Sequence, residues 1–410
     1  MSVRERIAKF DIEINLQREL LKKLERDKSL AQRQLNSILD PIARLPWEIS
    51  SEIFLQSLPP FPAEHGARHV PMLLLNICNT WSAIALSTPA LWTAFHIDLP
   101  CTRRLKELLL VWLQRASNRL LSISLHVERD FVHRDIVAII WRHGQQLKHL
   151  ELLERASEDG GDTIENMVPG PLPSLETLTM RGGTFCIDYT LELLQLAPNL
   201  IEYLVYTTEL LFNAPVEKVV HPNLRRLIVG APGRYPRGRQ ELLQYLSLPR
   251  LEALSIGMTH GALLGFLQES SPPLLELTLG DVFHTKFDEL VECLRLVPDL
   301  ERLEMWYARC LTVEELMTAL AGSPPLLPHI KALSFHLAGY EEIEWPTLAR
   351  TLAALRTQLR LQSFHLVGLH RAPSAAKMPT PVIIAAFREL AADGMEVCIS
   401  ATDGSWNIFG

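Results

Sequence analysis

Over residues 4–39, apolar side chains return in steps of three and four: Ile7, Phe10, Ile14, Leu21, Leu24, Ala31, Leu35 and Ile38, with Gln17 and Lys28 in the two remaining places. Glu, Arg, Lys and Gln fill most other positions, and Asp40-Pro41 is a stop. This spacing predicts one long helix with a coiled-coil seam. The seam can lie on the neighbouring part of the chain, or residues 4–39 can pair two copies as a homodimer. Next comes LPWEISSEIFLQSLPP, which predicts a short helix opened by Pro46 and stopped by Pro59-Pro60. Ile49 and Ile53 share one face of it, and Phe54 and Leu58 share the adjacent one. Pro71 opens a second helix, crowded by Met72, Leu73, Leu74, Leu75, Ile77 and Cys78. Trp81, Ile84 and Leu86 continue into a third, ended at Thr88-Pro89. Three short helices cannot bury this much apolar surface among themselves. The remainder must face the rest of the chain or another protein.

Beyond Trp92 the pattern switches to a repeating frame, Leu-x-x-Leu-x-Leu with other apolar residues allowed. It runs through Leu120, Ile123, Leu125; Leu147, Leu150, Leu152; Leu175, Leu178, Met180; Leu200, Tyr203, Val205; and Leu224, Leu227, Val229. It continues as Leu251, Leu254, Ile256; Leu274, Leu277, Leu279; Leu300, Leu303, Met305; Ile330, Leu333, Phe335; and Leu361, Phe364, Leu366. Trp92, Phe95 and Ile97 form a degenerate first unit, and Met395, Val397 and Ile399 a terminal strand. The first positions are 23 to 31 residues apart, a period that fits leucine-rich repeats. The last two frame residues alternate on a short strand and point to one side of a stacked sheet. Prolines at 173, 198, 222, 249, 273, 298 and 328 stand at the turns before seven strands, where no N–H is lost from a ladder. Segments between strands, such as GRQELLQYLSLP, FDELVECLRLVP and VEELMTALAGSPP, read as helices. The expected fold class is mixed α+β and α/β: an N-terminal long helix (1–40), a three-helix module (41–97) and a repeat domain (98–410). That last part would be an irregular leucine-rich-repeat solenoid, with parallel strands inside and helices outside.

The residues Leu45-Pro46, Glu48-Ile49, Ile53-Phe54, Leu58, Cys78, Trp81, Ala85-Leu86, Thr88-Pro89 and Leu91-Trp92 resemble an F-box, nearest to the F-box-like proteins of fungi. The resemblance covers about an eighth of the chain, and the connection from Pro59 to Val70 is longer than usual for the family. It implies a three-helix unit docked on a Skp adaptor, and through it on a cullin–RING scaffold of the SCF type that ubiquitinates what the rest of the chain holds. By that resemblance, adaptor binding falls to Leu45, Pro46, Ile49, Ile53, Phe54, Leu58, Leu75, Cys78 and Trp81. The same residues could instead cap the open end of the repeats. The repeats likewise resemble the leucine-rich-repeat class of F-box proteins. Most units lack the Asn that follows the third Leu in that class, so an incomplete ladder is expected.

The frame selects residues on the inner face of the repeats, among them Arg226, Arg302, Glu304, Trp306, His336 and His365, with Tyr206 further along. Trp, Tyr and Arg are common interface anchors, so these seven are the candidate target-binding residues. The plainer alternative is that Trp306 fills a gap or meets a helix. His336 and His365 on adjacent strands invite a metal reading, but no third ligand of suitable spacing stands out, and no metal or cofactor is expected. The arginines of GRYPRGR, 233–239, read as a solvated turn.

Composition narrows the classes. Hydrophobic residues at 48% argue for ordered structure, and a formal charge of -7 supplies no global basic field for nucleic acid. Six scattered cysteines form no Cys-x-x-Cys pair, so a reduced compartment, cytoplasmic or nuclear, is expected. No apolar run approaches a membrane span. No phosphate loop, nucleophile elbow or His-Glu-x-x-His is present. A non-enzymatic substrate receptor is the leading expectation. The alternative is a leucine-rich-repeat scaffold or regulator unconnected to ubiquitin transfer.

Overall fold

A computed structural model describes residues 3–59, 61, 70–98, 105–128, 134–155, 167, 169–182, 185–205, 208–209, 217–230, 241–257, 260–338, 343–369, 378–401 and 407. Twelve α-helices and a large parallel sheet make up the described residues, and the chain divides into two compact units. One comprises residues 1–97 and 101–124; the other comprises 98–100 and 125–410.

The first unit opens with α1, Val3–Leu39, a single helix of 37 residues. It ends where Asp40-Pro41 breaks the pattern, and Asp40 Oδ1 accepts from the N–H of Ile42 at 3.0 Å to start a 3-10 turn. Three short helices follow: α2 at Trp47–Gln56, α3 at Val70–Ile77 and α4 at Asn79–Leu86. Pro46 is extended and stands just before α2, one place earlier than expected, with its carbonyl accepting the first helical bonds. Cys78 is the N-cap of α4, its Sγ accepting from the Trp81 N–H at 3.5 Å. A 3-10 turn, Pro89–Trp92, then buries Leu91 and Trp92. The Trp92 indole N–H donates to the Ala85 carbonyl at 2.8 Å, which satisfies a polar atom that burial would otherwise strand. β1, Ala94–Asp98, and α5, Leu105–Ala116, follow, and Trp112 of α5 meets Trp92 edge to face at 4.8 Å. β2, Leu121–Glu128, begins in this unit.

Among the described residues, the second unit alternates strand and α-helix regularly only from residue 253 onward. Its elements are α6 (Arg134–Arg142), β3 (Leu147–Arg155), β4 (Thr177–Arg181), the two-residue β5 (Phe185–Cys186), α7 (Ile187–Leu196) and β6 (Glu202–Val205). The short β7 (Thr208–Glu209) and β8 (Val219–Val220) precede β9 (Arg226–Val229), β10 (Leu246–Ser247) and β11 (Ala253–Gly257). Then come α8 (His260–Ser270), β12 (Glu276–Gly280), α9 (Phe287–Arg295), β13 (Arg302–Ala308), α10 (Cys310–Leu320) and β14 (Ala332–Leu337). The unit closes with α11 (Trp345–Gln358), β15 (Ser363–Gly368), α12 (Pro381–Ala392) and β16 (Glu396–Ala401). The long strands stand in the order β3-β4-β6-β9-β11-β12-β13-β14-β15-β16, each parallel to the next.

Register aligns the apolar frame across this sheet. Leu178, Tyr203, Leu227, Leu254, Leu277, Leu303, Leu333 and Phe364 stand opposite one another in sequence, all buried. Such a row shares one continuous core that no single strand and helix could build alone. The segment ELLQY, expected as α-helix, is instead a 3-10 turn at Glu241–Tyr245 leading into β10. The parallel bridge of β10 to β8 takes up the residues a longer helix would need. Asn199 and Asn223 donate from their side chains to the carbonyls of Pro173 and Pro198, at 2.8 and 3.0 Å, tying successive turns together.

Candidate functional site

Two faces carry candidate function, one in each unit. In the first, α2 divides its side chains cleanly. Phe54 is only 2% exposed and meets the Trp81 ring at 4.8 Å, whereas Ile49 and Ile53, one turn apart, are 50% and 41% exposed. Leu45 and Pro46 are exposed before them, and so is Trp47 at 57%. Trp47 was not singled out from the sequence. Its large exposed ring beside an aliphatic pair is the kind of surface that interfaces use. Phe54 and Cys78, expected among the adaptor contacts, belong to the core: both are buried, and the Cys78 thiol is occupied as a cap. They position the face and do not line it. Leu58, Leu75 and Trp81 are half-buried. Trp81 is held by its indole N–H donating to Asp40 Oδ2, so α1 and the Trp81 ring are fixed together.

In the second unit, side chains alternate between core and the opposite face of the sheet. Arg226 lies between Glu202, at 4.0 Å, and Glu276, at 3.4 Å, and Arg302 stands 3.9 Å from Glu276. All are substantially exposed, so the charges can be regrouped by a partner at little cost. Beside them is a tighter cluster on β12, β13 and β14. Glu304 Oε1 accepts from the Trp306 indole N–H at 2.9 Å and from His336 Nε2 at 3.0 Å, and Glu304 Oε2 accepts from Thr278 at 3.3 Å. The Trp306 and His336 rings stack at 3.6 Å, 4° from parallel. Burial pushes the Glu304 carboxyl up, but the hydrogen bonds and charge of His336 and the donors Thr278 and Trp306 outweigh it, and it is held below the usual carboxylate range. Trp306 is half-buried and lies flat on the neighbouring strand's histidine.

Trp306 and His336 are direct partners across β13 and β14, which brings their rings together, and a bulge follows. Register shifts between Trp306 and Ala308 against β14, and Tyr307 takes φ 57, left-handed backbone that a tyrosine rarely adopts. No pattern of apolar residues announces such an extra residue. His336 and His365 are not side by side: His336 stands opposite Val367, and His365 opposite Ser334. They turn to different carboxylates, His365 Nε2 lying 3.2 Å from Glu396. The Glu304–His336–Ser334 contacts do not form a proton relay, because Glu304 and Ser334 both address Nε2. Tyr206, the arginines of 233–239 and the connection at 62–69 lie outside the described residues.

The Cys293 thiol is a poor nucleophile. Cys293 is fully buried and its thiol is pushed up to about 11 by burial, then by Glu292 and Glu289. No helix among the described residues is long and apolar enough to cross a membrane. No protein-family model matches the chain, and no curated protein matches it.

Proposed function

We propose that this chain is the substrate-recognition subunit of an SCF-type cullin–RING ubiquitin ligase. Its helices α2 to α4 act as an F-box that binds a Skp adaptor. Its second unit is a leucine-rich-repeat solenoid whose polar sheet face binds a target protein. The observation that carries the reading is the split of α2. The residues that resemble the adaptor-contacting side of an F-box, Leu45, Pro46, Ile49 and Ile53, are exposed, while Phe54 behind them is sealed in the unit's own core. A helix that served only as a cap would have no reason to leave this side uncovered. The period of the apolar frame and the parallel register of ten strands support the repeat reading. The chain performs no chemistry itself in this scheme; it raises the concentration of a target near a ubiquitin-charged enzyme.

The test is co-purification with a Skp adaptor, wild type against Pro46→Ala/Ile53→Ala. Adaptor recovery falls at least tenfold in the double variant, since an interface anchor is worth on the order of 2 kcal/mol. Equal recovery from both proteins, or none from wild type, removes the ligase assignment. On the target side, Arg302→Ala/Trp306→Ala abolishes capture of the protein that wild type captures while leaving adaptor recovery unchanged.

A further inference from the structure

We infer that α1 is a homodimerisation helix that pairs with a second copy of this chain, parallel and in register. The inference goes beyond the ligase reading and stands without it. Three observations lead to it.

The helix is tied to the first unit by the wrong side for its apolar seam to be satisfied there. Arg33 donates to the Leu75 carbonyl at 2.7 Å and to Ser82 Oγ at 3.0 Å, and Asn36 donates to the Ile77 carbonyl at 3.0 Å. Asp40, just past the end of α1, accepts from Trp81. Residues 33, 36 and 40 share one face by helical spacing. The seam residues of the same turns, Leu35 and Ile38, point the other way and are 49% and 71% exposed. The sequence left open whether the seam lies on the neighbouring helices, and this geometry answers that it does not.

The exposed seam is long. Val3, Ile7, Phe10, Ile14, Leu21 and Leu24 are each about half exposed or more. Apolar surface on this scale, continued over five heptads, is what a coiled coil needs and a solvated helix does not.

The flanking charges name the partner and its direction. With Ile7, Ile14, Leu21, Lys28 and Leu35 as the a positions, Arg6 and Glu13 fall at g, and Asp11 and Arg18 at e. In a parallel, in-register pair each g residue meets the e residue five places on in the other copy. Arg6 then meets Asp11, and Glu13 meets Arg18, both opposite in sign. Lys28, the one charge within the seam, enters a hole whose rim carries the other copy's Asp27. Gln17 lies against its own equivalent, where two amides can hydrogen-bond. A head-to-tail arrangement with the seams aligned sets Arg18 against Glu25 instead and loses all four of these pairings.

The full chain is tested by light scattering after size exclusion across a range of concentrations. The expected mass is twice 46.4 kDa, returning to 46.4 kDa for Leu21→Glu/Leu24→Glu. Those two side chains are exposed, so the variant keeps the wild-type circular dichroism of the folded units. Orientation is read with Gln17→Cys, a d position. Mild oxidation yields a disulfide-linked dimer that wild type does not form, because d faces d in parallel pairs. Glu13→Arg weakens the dimer and Glu13→Arg/Arg18→Glu restores it. A wild-type mass of 46.4 kDa at every concentration overturns the proposal, including where a foreign helix is found on the seam. A dimer that crosslinks through Gln17→Cys/Lys28→Cys but not through Gln17→Cys overturns it as well, since that is the head-to-tail pair.

Discussion

Glu304 accepts three donors on two oxygens, one of them a histidine stacked under a tryptophan. Its depressed carboxyl makes a pH signature. A carboxylate favoured by the fold adds stability above its ordinary pKa, about 4.3, and that stability is lost as pH falls through the folded value. The melting temperature of Glu304→Gln should therefore lie furthest below wild type near neutrality, and the two should converge on acidification below pH ~4. A gap that stays constant across that window would mean the carboxylate charge is not what orders Trp306 and His336. The residue scale also shows where patterning stops. Trp306 and Glu304 are legible as surface positions of a strand, because alternation fixes the face. The bulge at Tyr307, next to Trp306, has no periodic signal.

At the scale of the element, α2 offers adjacent residues with opposite duties. Phe54→Ala removes a buried ring and should cost about 3–5 kcal/mol of the first unit's stability. Ile53→Ala, at a half-exposed site, should cost well under that while weakening the adaptor contact. Urea unfolding of both variants, with adaptor pull-down, separates the roles; equal losses of stability would place Ile53 in the core. Helix α1 makes the converse point. Its heptads are plain, but its docking face is not, because Arg33 and Asn36 read as ordinary solvated residues and hold the helix through the Leu75 and Ile77 carbonyls and the Ser82 hydroxyl of other elements.

For the whole molecule, the row of frame residues across the second unit implies stability spread over many neighbours. Phe364 meets Phe335 at 6.0 Å and is fully buried. Phe364→Ala should lower the second unit's stability by about 3–5 kcal/mol and leave the first unit's unfolding unchanged, read as one displaced transition in a denaturant titration. Displacement of both units' transitions together would show that they unfold as one body.

The amino-acid sequence alone determined the helix at the front, the break at Asp40-Pro41, the strands and their core faces, because hydrophobic period and proline placement are local physics. It also marked which side of α2 would be apolar. Tertiary structure decided what each apolar side is for. Burial of Phe54 against Trp81, capping by the Cys78 thiol, the stacking of Trp306 on His336 and the docking of α1 by its polar face all depend on groups distant in the chain. Periodicity says that a face is apolar; only the neighbours brought up against it say whether that face is already covered.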